Sequence, residues 1–291
     1  MFGRKTSGSV VCTSCGYLVG VRDAVCYSCG RRNPGLWGYG PLLRKLGNDL
    51  GFVPLVMWGC SGLFVAMLLV SGPGIRMNGL LSFLSPSRAA WELFGASGAY
   101  PVFIQGYWWT VLSAGWLHGG LLHILFAMMW IRQLGPICAE LYGAGRMVII
   151  YTVAGVVGFT LTSVVGLFTI GHLPSFLFFL NGGGTTLGSS APIFGLLGAL
   201  VYYGRRSGSS LIHGEALRYV LMLGVFGFIM PGVDNWAHAG GFAGGYMAGL
   251  ILDPLKPERL DHMVIAVLCL LATAAAIGAS IVHGLALLAR G

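Results

Sequence analysis

The chain is organised around one short stretch, Gly188-Ser189-Ser190-Ala191-Pro192, where a glycine-rich, uncharged loop turns into an apolar helix. A serine at the mouth of a membrane helix is ordinary. Ser190 therefore becomes a candidate nucleophile only if a base and an oxyanion-stabilising group lie close to it. Other segments of the chain supply candidates for both.

The composition is that of a membrane protein. Of 291 residues, 56% are hydrophobic and only 9% are charged, which excludes an ordinary soluble domain. A hydrocarbon core of about 30 Å requires about 20 apolar helical residues. Seven runs are predicted to span it, near residues 52–71, 111–131, 147–170, 189–204, 216–231, 236–252 and 263–288. The first run lacks a small-residue cleavage pattern, so we expect a retained helix and not a signal peptide.

The distribution of basic residues predicts the orientation. With a cytoplasmic N-terminus, fourteen of the 17 basic residues fall on inner segments, and only Arg76, Arg88 and Arg290 fall outside. We therefore expect a multi-pass protein of the cell (plasma) membrane with its C-terminus outside. The net charge of +8 is explained by this topology and by attraction to anionic inner-leaflet lipid, so no nucleic-acid partner is needed.

The N-terminal segment contains two CxxC knuckles, Cys12–Cys15 and Cys26–Cys29, each followed by glycine. This spacing predicts four thiolates around one structural Zn²⁺, because a four-thiolate site leaves no open position for a substrate. Two disulfides are the alternative, which a reducing cytoplasm disfavours. The sequence does not identify a partner for this module.

A second serine string, Gly95-Ala96-Ser97-Gly98, lies in an aromatic-rich external segment of about residues 72–110. Pro101 follows shortly and no apolar run begins there, so a turn is predicted at Ser97. Ser97 is therefore a weaker candidate nucleophile than Ser190.

Two histidines, His118 and His123, fall within the second predicted span. Ionisable residues at membrane depth are functional candidates by default, although two satisfied interhelical hydrogen bonds would also explain them. A catalytic metal site is disfavoured, because neither an acidic residue nor a third histidine lies at ligand spacing. No acidic residue lies in the middle of a predicted span, which leaves serine and histidine chemistry.

The fourth and sixth spans are predicted to bring Ser190 close to His238. Ser190 precedes Arg205 by fifteen residues, roughly 22 Å of helix, and His238 precedes Asp253 by the same number, which places both at one depth. Stripes of small residues, which allow membrane helices to approach closely, start just after each of them. These stripes are Ala191, Gly195 and Ala199 on one span and Gly241, Gly245 and Gly249 on the other. Phe194 is expected to pack on the imidazole.

Three motifs on three spans closely resemble the rhomboid intramembrane serine proteases. They are Gly188-Ser-Ser190-Ala-Pro-Ile-Phe194-Gly195, Ala237-His238-Ala-Gly-Gly241, and His118-Gly-Gly-Leu-Leu-His123. The resemblance covers about residues 52–255. It implies a Ser190–His238 dyad without an aspartate, so Asp234 is interpreted as a helix cap. It also implies support from Gly188, Phe194, His118 and His123, with His123 joining the Ser190 backbone N–H as an oxyanion donor.

This chain departs from the family pattern at three positions. Ala127 replaces an asparagine that adds an oxyanion donor, while Ala191 and Thr110 replace a common glycine and a common arginine. Loss of one such donor typically lowers kcat by about 10²- to 10³-fold. The expected activity is therefore hydrolysis of the transmembrane segments of other proteins without a catalytic cofactor. The alternatives are a pseudoprotease that binds transmembrane helices, a scaffold, or a transporter.

The expected organisation has four parts. Residues 1–35 form a cytoplasmic zinc-ribbon-like module, 36–51 a basic linker, 52–255 a six-helix rhomboid-like core, and 256–291 a linker and seventh transmembrane helix.

Overall fold

The computed structural model describes residues 4–79 and 82–288. In these residues the chain is mostly helical, as its composition predicts. A two-stranded antiparallel sheet, β1 (Ser9–Val11) and β2 (Leu18–Gly20), pairs Val10 with Val19 near the N-terminus. The α-helices follow in the order α1 (Gly40–Arg44), α2 (Phe52–Ser71), α3 (Arg88–Phe94), α4 (Thr110–Ser113), α5 (Leu121–Tyr142), α6 (Ala144–Thr169), α7 (Ser190–Ser207), α8 (Ser210–Ile229), α9 (Asn235–Leu252) and α10 (Leu260–Leu288).

Seven of these helices correspond to the seven predicted spans. Five stretches within the described residues are long and apolar enough to cross a membrane, and they include α2, α5, α6, α8 and α10. The chain is a multi-pass membrane protein. The other two helices, α7 and α9, are shorter and rich in glycine. Most of α7 is buried by its neighbours, so it needs less apolar surface than a lipid-facing helix does.

The second predicted span is wrong in its position. It was expected near residues 111–131, but α5 begins only at Leu121 and continues to Tyr142. Before it, α4 and a 3₁₀ turn at Ala114–Trp116 are followed by irregular backbone through Gly120. Residues 113–118 are buried although they do not form one long helix, and hydropathy alone does not separate these two cases. His118 therefore precedes the helix, and His123 lies in its first turn.

The helices α7 and α9 pack along the two predicted stripes of small residues. A Cβ atom at Gly245 would overlap the carbonyl oxygen of Gly195, and one at Gly241 would overlap that of Ala191. We call this interface between α7 and α9, lined by the two stripes, the α7–α9 seam. The helix α6 also packs closely against α9, since a Cβ at Gly158 would lie 2.6 Å from the Ala237 carbonyl oxygen. The predicted close approach is confirmed, and it fixes the relative position of the first turns of α7 and α9.

The segment between α2 and α5 folds against the glycine-rich loop that precedes α7. Ser97 does not lie in a helix. It forms an antiparallel bridge with Thr186, and its hydroxyl group lies 3.2 Å from the Thr110 hydroxyl. The last helix, α10, packs on α6 and on this segment, where Trp109 Nε1 donates to Ser280 Oγ at 3.1 Å. The predicted seventh transmembrane helix, α10, thus packs against other parts of the chain.

Candidate active site

Ser190 and His238 meet at the start of the α7–α9 seam. Ser190 is the first residue of α7, and His238 lies one turn into α9. The Ser190 Oγ atom lies 2.9 Å from His238 Nε2, within hydrogen-bonding distance. Phe194 stacks on the imidazole with ring centroids 4.2 Å apart and an interplanar angle of 15°. Both polar side chains are only partly buried, so a reactant can reach them.

The other imidazole nitrogen, Nδ1 of His238, has no hydrogen-bond partner in the part of the chain that the structure describes. Asp234 is engaged elsewhere. Its Oδ1 accepts from the Ala237 backbone amide at 2.9 Å, and both oxygens accept from Thr162 Oγ1 at 2.8 Å. The predicted helix cap is confirmed. The geometry is that of a serine–histidine pair and not of a triad.

His118 and His123 also lie near the start of α7. His118 is fully buried, and its Nε2 atom lies 3.1 Å from Ser189 Oγ. His123 lies with its ring 5.1 Å from that of His118, and its Nδ1 accepts from the Gly119 amide at 3.3 Å. The contact between His118 and Ser189 joins two residues that lie outside regular helix, so it is not the interhelical hydrogen bond that sequence analysis left open as an alternative.

Gly188 keeps open the space between His123 and Ser190. A Cβ atom at this position would lie 2.6 Å from His123 Nε2 and 3.6 Å from Ser190 Oγ. Its φ of +137° is also one that residues with side chains rarely adopt. His123 Nε2 and the Ser190 hydroxyl therefore face the same small space.

Ala127 lies one helical turn beyond His123 on α5 and is 5% exposed. Its methyl group provides no hydrogen-bond donor. The other two departures from the family pattern have structural roles, since Ala191 packs at the seam and Thr110 Oγ1 donates to the Tyr107 carbonyl at 2.8 Å.

Sequence analysis missed the threonine that ties the serine loop to α9. Thr162 is fully buried on α6, donates to Asp234 and accepts from the Gly183 amide at 2.6 Å. Thr162 is one of five serine and threonine residues in this span, so the sequence carried no signal that singles it out. Ser189 was missed as the partner of His118, because both lie outside regular helix.

The arrangement provides the parts for acyl transfer. A hydroxyl hydrogen-bonded to a neutral imidazole can be deprotonated as it attacks a carbonyl carbon. The backbone amides at the start of α7 have no acceptor within the helix, and the helix dipole favours a negative charge there. A reacting carbonyl in the space beside Gly188 would lie next to these amides and to His123.

The four N-terminal cysteines converge far from this site. Their sulfur atoms all lie within 4.8 Å of one another, with Cys12–Cys29 at 3.8 Å and Cys15–Cys26 at 3.7 Å. Tetrahedral Zn–S bonds of about 2.3 Å imply S···S distances of roughly 3.8 Å. The thiols are free, so the disulfide alternative is not found. The donor set fits a metal ion.

The pKa of the thiol differs from one cysteine to another. Burial raises the pKa of the Cys29 thiol to about 12. At Cys15 burial acts in the same direction, but hydrogen bonds from the Tyr17 backbone and the neighbouring thiols outweigh it and lower the pKa to about 7. Since metal binding requires thiolates, metal and protons compete, and metal affinity should fall as the pH falls.

Comparison with known proteins identifies the helical core. A rhomboid domain matches residues 105–254, just over half of the chain. The chain belongs to the rhomboid family. The matched region contains the histidine motif, the α7 serine motif and the α9 histidine motif, and the resemblance drawn from these motifs is confirmed.

Individual relatives are distant. Rhomboid protease GluP of Bacillus subtilis is 27% identical over 215 residues, which cover 73% of this chain and 38% of the relative. RHOMBOID-like proteins 1 and 7 of Arabidopsis thaliana are 27% and 29% identical, over 58% of this chain and 40% and 50% of their own lengths. This chain therefore spans half or less of these relatives.

Proposed function

We propose that this rhomboid is an intramembrane serine protease that hydrolyses peptide bonds in or near the transmembrane segments of other membrane proteins. The single observation that carries the proposal is the 2.9 Å contact between Ser190 Oγ and His238 Nε2 at the start of two closely packed helices. Family membership supports it, and the name of the Bacillus subtilis relative is that of a protease.

In the proposed mechanism, His238 is the general base and Ser190 the nucleophile. His238 Nε2 takes the hydroxyl proton as Oγ attacks the scissile carbonyl, and then protonates the leaving amine. Water, activated by the same imidazole, hydrolyses the acyl-enzyme. The Ser190 backbone N–H and His123 hold the oxyanion, while Phe194 orients the base. Gly188 keeps the oxyanion space open, and His118 holds the Ser189 side chain beside it. No cofactor is required for these steps.

The proposed setting is the plasma membrane, with the N-terminus cytoplasmic and the C-terminus outside. We retain the division into a metal module (1–35), a linker (36–51), a six-helix core (52–255) and a C-terminal segment (256–291). Residues 289–291, which include Arg290, lie outside the described residues. The substrates are transmembrane proteins that reach the site through the bilayer. The basic residues face anionic lipid, so no nucleic acid is involved.

We also propose that Cys12, Cys15, Cys26 and Cys29 hold a structural Zn²⁺. The convergence of the four sulfur atoms supports this assignment. The metal supplies folding free energy to a segment too short to form a large core.

A pseudoprotease that binds transmembrane helices without cleaving them is the second candidate. The observation in its favour is Ala127, which leaves the oxyanion side with one side-chain donor fewer than the family pattern. The two candidates share the fold and differ only in turnover.

The experiment is cleavage of a transmembrane reporter by the purified chain in lipid vesicles. We expect Ser190→Ala to lower the rate by at least about 10⁴-fold, since removal of a nucleophile that acts jointly with its base is grossly damaging. Ser210→Ala is the matched control, because Ser210 also begins a helix but is exposed. Reporter that cross-links to the wild-type chain without being cut would favour the pseudoprotease.

A further inference from the structure

The metal module rests on the inner end of the helical core through a buried ion pair. Arg31 Nη1 lies 3.3 Å from Glu258 Oε2, and the two side chains are only 2% and 4% exposed. These residues lie 227 positions apart, with Arg31 just after the second knuckle and Glu258 in the linker between α9 and α10. This buried ion pair connects the N-terminal module to the segment between α9 and α10.

The position of Arg31 depends on the knuckle that contains Cys26 and Cys29. The Cys26 amide donates to the Arg31 carbonyl at 2.8 Å, and the Gly30 amide donates to the Cys26 carbonyl at 2.8 Å. A metal ion that orders this knuckle therefore also orders the backbone that aims Arg31 at the core.

On the core side, Glu258 is part of a network that joins two long helices. Its Oε1 accepts from the Arg146 backbone amide at 3.1 Å, in the first turn of α6. The Arg146 side chain donates to the Leu252 and Asp253 carbonyls at 3.0 and 2.9 Å, at the end of α9. Gly143 allows the approach, since a Cβ there would lie 2.5 Å from the Glu258 carboxyl carbon.

The junction between module and core is closely built yet not completely filled. A crevice of about 380 Å³ is lined by Cys15 and Arg31 of the module, by the linker, by Glu140 of the core and by Glu258 of the C-terminal segment. The Nε atom of Arg31 is buried there without a hydrogen-bond partner among the described residues. A buried arginine that lost Glu258 would be left with an uncompensated charge, so the contact is sensitive to either partner.

We propose that the partner of the metal module is the inner face of this same chain, and that metal binding is coupled to the stability of the helical core through Arg31 and Glu258. A metal ion that binds only the folded module stabilises the module and any structure that packs against it. Because Arg31 contacts Glu258, and Glu258 holds the start of α6, that structure includes the core. The inference rests on the proposed metal site and is independent of protease activity.

The test measures core melting with and without bound Zn²⁺ in the full chain. Seven of the eight tryptophans lie at residue 58 or later, and the eighth, Trp37, contacts the module, since its carbonyl accepts from Arg4 Nε at 2.8 Å. All variants are therefore compared in a Trp37→Phe background, in which the fluorescence reports on the core. We expect removal of Zn²⁺ by a chelator to lower the melting temperature of the wild type by at least about 5 °C. In each of the single variants Arg31→Met and Glu258→Gln, we expect one bound Zn²⁺ per chain. The shift in melting temperature on Zn²⁺ removal should fall to less than a third of the wild-type shift.

Two further variants keep the result interpretable. Arg32→Met is the matched control, because it makes the same change at the neighbouring exposed arginine, and it should retain the full shift. The double variant Arg31→Met/Glu258→Gln removes both buried charges and keeps an oxygen acceptor for the Arg146 amide, so it leaves no unpaired buried charge, and it should lose the shift. A full metal-dependent shift in the double variant, or no shift in metal-loaded wild type, would overturn the coupling. A wild type that binds no Zn²⁺ would overturn the metal site and the coupling together.

Discussion

The α7–α9 seam and the start of α5 both border Ser190 and are built differently. At the seam, glycines bring backbone against backbone, so that a Cβ at Gly241 would overlap the Ala191 carbonyl oxygen. At the start of α5, His118 on irregular backbone and His123 in the first helical turn have rings that contact each other, and their nitrogens contact Ser189 and Gly119. At the seam, steric contact between the two backbones sets the distance between α7 and α9. At the start of α5, hydrogen bonds hold the polar side chains in place. Substitutions should therefore damage folding at the first and turnover at the second.

The largest expected effect is at the seam. Gly245→Val should destabilise the core by about 3 kcal/mol, because the added atoms meet the Gly195 backbone and no flexible side chain can move away. Thermal unfolding in detergent measures this change. Gly62→Val is the control within α2, where a Cβ would meet no other atom within 4 Å. Equal melting temperatures for the two variants would show that the seam is not tightly packed.

An intermediate effect is expected on the α5 side. Ala127→Asn should raise the rate of reporter cleavage by about tenfold, since it restores a donor one turn from His123 in a site otherwise built without it. Ala127→Leu adds a similar volume without a donor and should give no increase. If both variants behave alike, Ala127 does not mark the missing oxyanion donor.

The smallest expected effect is at the cap of α9. Asp234→Ala removes the acceptor for the Ala237 amide and should lower stability by about 0.5–2 kcal/mol. Because Asp234 does not contact His238 Nδ1 in the described structure, kcat should fall by less than about tenfold, whereas loss of a triad aspartate typically costs about 10⁴-fold. A fall of the latter size would make Asp234 part of the catalytic machinery.

The contrast between the regular helices of the seam and the irregular backbone before α5 explains which parts of the structure the sequence could predict. Spacing along a regular helix determines which residues share a face, so the stripes and the meeting of Ser190 with Phe194 and His238 follow from counting. Residues 111–120 carry no such periodicity. They are apolar because they are buried, and their irregular path depends on contacts such as that of the Leu121 amide with the Phe83 carbonyl. The start of α5 was therefore placed about ten residues too early.

Long-range polar contacts were beyond prediction for a related reason. Arg31 was counted only as one of many inner basic residues, and Glu258 as one of nine acidic residues. A pair 227 residues apart leaves no local pattern in one sequence. The cysteine knuckles did leave a pattern, because a metal ion requires its ligands at short, regular spacing.

The most direct test of the central claim is covalent labelling of the folded, purified chain with a serine-reactive fluorophosphonate, with the modified residue mapped by mass spectrometry. We predict labelling at Ser190 that disappears in Ser190→Ala, slows by about 10²-fold or more in His238→Ala, and is unchanged in Ser210→Ala. Absence of labelling in the folded wild type, or labelling of Ser190 that does not depend on His238, would contradict an activated serine at the start of α7.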